Sequence, residues 1–157
     1  MVMKIPRIYI DTSVIGGCFD DEFNVWSNAL FDDLRKGLFK PMISSVVTEE
    51  IKVAPDWVKK QYEELLKIGA RVLSPDKQSF ELIRQYEKHE IIPIKFRNDM
   101  LHIAVATIAE ADILVSWNFK HIVRYDKIQQ FNAVNIENGY KAIAIYSPRE
   151  VTYYEKI

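Results

Sequence analysis

Apolar and polar positions switch period repeatedly along this chain, from short continuous apolar runs to helical spacing and back. Residues 7–10 form a β-rich run that predicts a buried strand. Residues 23–36 place Phe23, Trp26, Ala29, Leu30, Phe31 and Leu34 at helical spacing, with Gly37 as a C-terminal stop. Residues 41–45 read as a second strand, and 46–53 as a helix that Pro55 interrupts. Residues 57–68 predict another helix, closed by Gly69, and 71–74 a third strand. Pro75 suits a helix start, continued over 79–88. After a break at 91–95, Asn98 predicts an N-cap. The helix that follows, 100–111, is apolar almost all round and so is expected to be buried. Residues 113–115 predict a fourth strand, 119–132 a helix and 142–145 a fifth strand.

Strands that alternate with helices imply a parallel sheet with right-handed crossovers and helices on both faces. No repeat, linker or low-complexity segment interrupts the pattern, so one α/β domain is expected over residues 1–157. At 157 residues and 48% apolar composition, the chain can bury a full core. The net charge of −1 lacks the basic footprint usual for nucleic-acid binding, although acids around a metal can mask a local basic patch. The single cysteine, Cys18, excludes an internal disulfide and fits a reducing cytosol. It reads as a small buried side chain, because nothing nearby reads as the base a nucleophile needs. The opening MVMKIPRIYID lacks the long apolar core of a signal peptide. No apolar run approaches the ~20 residues needed to cross a bilayer. A cytoplasmic protein without membrane association is the expectation.

The candidate chemistry lies at strand ends. Ligands of open α/β sheets bind beyond the carboxyl ends of the strands. Asp11 follows the first strand, Glu50 lies on the helix after the second, Asp99 opens the buried helix, and Asn118 follows the fourth strand through Ser116 and Trp117. Four oxygen-bearing groups without histidine or cysteine partners suit a hard cation, Mg²⁺ or Mn²⁺, and not zinc. Gathered carboxylates repel unless an ion or a shared proton compensates. Metal-assisted phosphodiester hydrolysis is the use such a cluster suggests. Each residue also has a plainer role. Asp11 could cap a helix, Glu50 could be solvated surface beside Glu49, Asp99 could be a favourable first-turn charge, and Asn118 could be a turn residue. Asp20, Asp21 and Glu22 read as a solvated loop, Asp32 and Asp33 as an exposed helix face, and Asp112 as structural at the opposite edge.

The segments YIDTSVI, ISSVVTEEI, NDMLHIAVAT and ADILVSWNFKHI, in that order, resemble the PIN domain, which includes the VapC-type toxin ribonucleases. The resemblance implies a Rossmann-like, PIN-type three-layer sandwich with a parallel sheet of about five strands. It also implies an Mg²⁺- or Mn²⁺-dependent endoribonuclease that leaves 5′-phosphate and 3′-hydroxyl ends. Asp11 matches the family's first acid, Glu50 the acid of S-x-x-x-x-E, and Asp99 the acid of D-x-x-H-x-A. Asn118 stands where many members carry a fourth acid. It removes one negative charge and puts a strict two-metal mechanism in doubt.

On this reading Asp11, Glu50 and Asp99 hold the ion, and Asn118 is a peripheral ligand or positions a water. Thr12 and Ser116 are candidates to bond phosphate or the acids. Arg97, Lys120, His121 and Arg124 are candidates to contact flanking phosphates, with solvated surface as their plainer role. His102 reads as a satisfied core histidine, and Trp117 and Phe119 are assigned no RNA contact. The toxin resemblance further implies an RNA substrate, a cognate antitoxin and a homodimer. Trp26, Phe31, Trp57 and Tyr62 are candidates to line an antitoxin groove, or else to pack in the core. Two other functions compete. An aspartate-nucleophile phosphatase would want an acid where Ser13 stands. A catalytically weakened PIN-like module would bind RNA or protein without cutting, and Asn118 keeps that reading open.

Overall fold

A computed structural model describes residues 4–152. Five parallel strands form one sheet: β1 (Arg7–Ile10), β2 (Lys40–Ser44), β3 (Arg71–Leu73), β4 (Ile113–Val115) and β5 (Ala144–Tyr146), in the order β3-β2-β1-β4-β5. Central β1 pairs Tyr9 with Met42 of β2 on one side and with Leu114 of β4 on the other. The chain winds outward from β1 in one direction and then returns to wind in the other. The strand order therefore reverses between β1 and β4, where open α/β sheets open a crevice at their carboxyl ends.

Alternation along the strands splits the core into two layers. Ile8, Ile10, Ile43 and Val115 face one helical layer, formed by α1 (Thr12–Gly17), α2 (Asn24–Arg35), α3 (Ser45–Ile51) and α4 (Asp56–Ile68). Tyr9, Met42, Leu114 and Ile145 face the other, formed by α5 (Lys77–Lys88), α6 (Arg97–Ile108) and α7 (Tyr125–Glu137). A short α8 (Pro148–Val151) starts on Pro148. The three-layer α/β architecture is the expected one. As predicted, α6 is buried nearly all round, and Gly37 and Gly69 end α2 and α4 at φ of 75° and 108°. Among the described residues no helix is long and apolar enough to cross a membrane.

Several local expectations are corrected. Asp76, not Pro75, caps α5. Its carboxylate accepts from Ser79 N–H while the Ser79 hydroxyl accepts from Asp76 N–H, a capping box that Pro75 merely precedes. Asn98 lies inside the first turn of α6, since a 3₁₀ turn at Ile94–Phe96 leads directly into the helix. The helix expected at 119–132 begins only at Tyr125; residues 119–122 form a turn that the Asn118 side chain closes by accepting Lys120 and His121 N–H. Asp33 is buried at 2% exposure, although its neighbour Asp32 is exposed. Phe31 is core and cannot line a groove, whereas Trp57 is exposed. Asp112 is structural, as expected, and its carboxylate accepts from Arg7 N–H at 2.8 Å.

The turn after β4 is anchored by close approach. Trp117 turns its indole N–H onto Ser27 Oγ at 2.8 Å and lies against Gly17, where an added Cβ would come within 2.6 Å of both Trp117 Nε1 and Ser27 Oγ. Overpacking of this kind costs about 2 kcal/mol. Gly17→Ala is therefore expected to lower the thermal midpoint by roughly 4–8 °C, measured by circular dichroism. An unchanged midpoint would show that the turn yields freely.

Candidate active site

Asp11 is the first residue past β1, and its N–H donates to Val115 O at 3.1 Å, extending the β1–β4 pairing. It occupies the backbone N-cap position of α1, yet its side chain makes no capping bond. The carboxylate is 5% exposed and turns into the crevice instead. Ser13 and Ser116 hydroxyls each donate to Asp11 Oδ2 at 2.7 Å. Both hydroxyls are themselves fed by backbone donors, Trp117 N–H to Ser13 Oγ and Asn118 N–H to Ser116 Oγ, each at 2.9 Å. Two main-chain dipoles are thus relayed through hydroxyls onto one oxygen, and bonds in such chains strengthen one another.

The other oxygen of Asp11 meets His102. On α6, Asp99 and His102 are three residues apart and so share a helix face. His102 is fully buried. Its Nε2 donates to Glu50 Oε1 at 2.8 Å and lies 3.2 Å from Asp11 Oδ1. Its Nδ1 lies 2.7 Å from the buried Tyr9 hydroxyl, which in turn lies 2.7 Å from Ser44 Oγ. Ser44 caps α3 by accepting Val46 N–H at 3.2 Å, and α3 carries Glu50. Thr12 Oγ1 also donates to Glu50 Oε1 at 2.8 Å. One chain of hydrogen bonds therefore links β1, β2, α3 and α6 and fixes two of the three acids.

Asp99 forms the third corner. Its Oδ2 accepts from Asn118 Nδ2 at 3.2 Å and bonds His121 Nδ1 at 3.0 Å. The Asn118 amide oxygen faces away, accepting Lys120 N–H at 3.2 Å and His121 N–H at 2.9 Å. Those two donors settle which amide atom is which. Asn118 thus presents nitrogen to Asp99 in this arrangement and folds its own turn with the oxygen.

Charge sets the proton affinities. Burial alone would push the His102 imidazole down, but Asp11, Glu50 and Asp99 outweigh it and hold the imidazole above its ordinary value of 6.5. Burial likewise works to raise Glu50, yet the His102 bond, helped by Thr12 and Asn98, holds that carboxyl below its ordinary range. Asp99 goes the other way. Burial raises it, Asp11 adds to the effect, and His121 only partly offsets them. Burial drives the Tyr9 hydroxyl far up, so it stays protonated and serves as a hydrogen-bond relay.

The structure brings Asp11, Glu50, Asp99, Asn118, Thr12 and Ser116 together. The cations expected to meet phosphate are spread out. Arg97 pairs with Glu87 at 3.4 Å and stands over Phe80. Arg124 pairs with Asp126 at 2.8 Å. His121 is buried against Asp99 and the Phe96 ring, so it orients an acid and offers no open phosphate contact. Lys120 is exposed. Glu49 also points to solvent, paired with Lys52. Sequence reasoning missed Ser13, Tyr9 and Ser44 as parts of the site. His102 is indeed a satisfied buried histidine, but the site acids are what satisfy it, and its spacing from Asp99 was the available signal.

The oxygen donors of Asp11, Glu50 and Asp99 fit a hard divalent ion by chemical type. Among the described residues no three His, Cys, Asp or Glu side chains stand spaced around one point for an ion. The hydrogen bonds give the reason. His102 nitrogen lies between Asp11 and Glu50, and Asn118 and His121 nitrogens draw Asp99 to their side.

No protein-family model and no curated protein matches this sequence. Solved structures do share the fold. FitAcB from Neisseria gonorrhoeae superposes with a TM-score of 0.58 at 16% identity, over 92% of this chain and 99% of that one. VapBC2 from Rickettsia felis, bound to a DNA fragment from its promoter, gives 0.55 at 14% identity, over 89% and 98%. At the level of the fold the chain is PIN-like.

The His102 contacts predict a pH dependence. A raised folded-state value means that the His102⁺ ion pairs stabilise fully below about pH 6.5. That contribution is lost as pH rises through the folded-state value. The His102 ring proton is expected to titrate above free histidine by NMR, and Asp11→Asn or Glu50→Gln to lower its midpoint. A midpoint at or below the free value in the unsubstituted protein would show that burial dominates.

Proposed function

We propose that this protein is a metal-dependent endoribonuclease, the toxin of a type II toxin–antitoxin pair. One observation carries the reading. Three acids, just past β1, on α3 and on α6, converge on the crevice where the strand order of a PIN-like sheet reverses: Asp11 and Glu50 share His102, and Asp99 lies near enough to feel the charges of Asp11 and His102. Asp11, Glu50 and Asp99 would hold Mg²⁺ or Mn²⁺. Bound there, the ion would make a water more acidic and offset charge on the phosphate oxygens. Ser13 and Ser116 hold Asp11 in one rotamer, and Thr12 and His102 hold Glu50. Asp99 is held above its ordinary carboxylate range without an ion, because burial and Asp11 both work against its charge.

An antitoxin and a homodimeric assembly belong to the same proposal. Its support is the resemblance to VapC-type toxins in four sequence segments, together with a fold shared with VapBC2. Of the candidate groove residues Phe31 is buried, Trp26 and Tyr62 are half-buried, and Trp57 on α4 is exposed.

A specific observation favours a second reading, a PIN-like module that binds without cutting. Nitrogen atoms of His102, Asn118 and His121 already satisfy the acids. One experiment separates the readings. Purified protein is incubated with structured RNAs in Mn²⁺, Mg²⁺ or EDTA. Cutting is expected only with the ion, and Asp11→Asn and Asp99→Asn are each expected to slow it by roughly a hundredfold or more. Binding that persists without cutting would favour the module. Hydrolysis of small phosphate esters alone would favour a phosphatase.

Asn118→Asp tests the balance of charge. It deletes the donor to Asp99 and sets two carboxylates face to face, at a cost of about 1–3 kcal/mol. In EDTA the variant is expected to melt below the parent, and Mn²⁺ is expected to raise its midpoint by more than the parent's. Equal Mn²⁺ shifts would place Asn118 outside the ion's reach.

A further inference from the structure

An aromatic wall stands beside the acid pocket, and the chemistry of the acids makes no use of it. Trp117 is pinned on one side by Gly17 and Ser27. Phe23 stacks on it with centroids 4.1 Å apart and planes 15° from parallel. Phe119 leans on both rings, 6.1 Å from Trp117 and 6.3 Å from Phe23. The two inner rings are largely covered, but Phe119 remains 48% exposed. It directly follows Asn118, whose amide touches Asp99, and leans on Trp117, whose backbone N–H bonds the Ser13 hydroxyl that holds Asp11, so the chain places the ring next to the pocket.

A core role does not account for that exposure, and a single exposed phenylalanine would ordinarily need no explanation. This ring differs because its backing is rigid and its chain neighbours are polar. Lys120 is exposed directly after it, and Arg149 lies over Trp26 at the same wall, 5.1 Å from the ring. An aromatic face flanked by cations suits an unpaired base whose phosphates run along the positive side. Bases inside a duplex already have both faces stacked, so only an unpaired base can offer one.

We infer that Phe119 is a substrate-positioning residue that stacks an unpaired base of a single-stranded RNA beside the acid pocket. The inference rests on the nuclease reading for the identity of the pocket. The preformed wall lets the ring bind without first being ordered, which lowers the entropy cost of capture.

Binding in EDTA tests this separately from cutting. The probes are a short labelled single-stranded RNA of mixed sequence and the same strand annealed to its complement. The unsubstituted protein is expected to bind the single strand more tightly than the duplex. Phe119→Ala is expected to weaken the single strand about tenfold, the loss of one base–aromatic stack, and to leave duplex binding unchanged. Phe119→Leu should weaken it similarly, while Phe119→Trp should retain it. In Mn²⁺, Phe119→Ala should raise KM and spare kcat. Phe119→Leu binding like the parent would overturn the inference, since any apolar side chain would then suffice. So would equal losses for single strand and duplex, or a parent that binds neither probe. Metal-dependent cutting unaffected by Phe119→Ala would overturn this inference alone and leave the nuclease reading standing. Phe119-dependent binding without cutting would do the reverse.

Discussion

A carboxylate buried at the end of a central strand must be matched by donors, and the Asp11 side chain imposes that demand on this fold. An unpaired buried charge is far too costly for a marginally stable protein. The donors come from three places: Ser13 in the first turn of α1, Ser116 just past β4, and His102 in the interior of α6. Those segments are held by the β1–β4 pairing and by the packing of α6 under the sheet. The site is therefore no decoration on a finished scaffold. Asp11 N–H extends the very ladder that brings Ser116 within reach of its side chain.

The same logic shows how much the sequence could reveal. All five strands were legible, because short apolar runs bounded by Gly, Pro and acids have few other readings. The helices over 24–35 and 97–108 were legible from periodicity and from continuous apolarity. What escaped depended on side chains that bond their own backbone. Asp76 sets the helix start past Pro75, and Asn118 closes a turn over 119–122 ahead of α7. Both are local competitions that hydrophobic period does not register. Asp33 was misplaced because a helical face is inferred from its neighbours, and Asp32 beside it truly faces solvent.

For the site, Asp11, Glu50 and Asp99 could be placed at strand ends by counting. Of their partners, Thr12 and Ser116 were legible as hydroxyls near enough to bond the acids, whereas Ser13, Tyr9 and Ser44 were not. Ser116 reaches Asp11 only because β1 and β4 are neighbours, 105 residues apart at that bond, whereas Ser13 bonds Asp11 from two residues along the chain. His102 was legible as buried. That it serves Asp11 and Glu50 follows from the crossing of α6 beneath β1, which no local pattern encodes. Tyr9 reads as a strand aromatic, yet its hydroxyl joins His102 to the serine that caps the helix bearing Glu50.

Three acids this close would repel one another, and the chain answers with nitrogen. His102 lies between two of them, and His121 and Asn118 hold the third. The protein can thus fold around its acids with internal compensation. The compensation is uneven. Glu50 is held below its ordinary range by His102, whereas Asp99 stays above, because His121 only partly offsets burial and Asp11. Asp99 is therefore the least well matched of the acids whose proton affinity is shifted, and the one with most to gain from a positive ligand. An acid in place of Asn118 would deepen that deficit, and the amide relieves it. A neutral residue at this position accordingly lets the pocket close on itself and leaves an incoming cation to compete with nitrogens already in place.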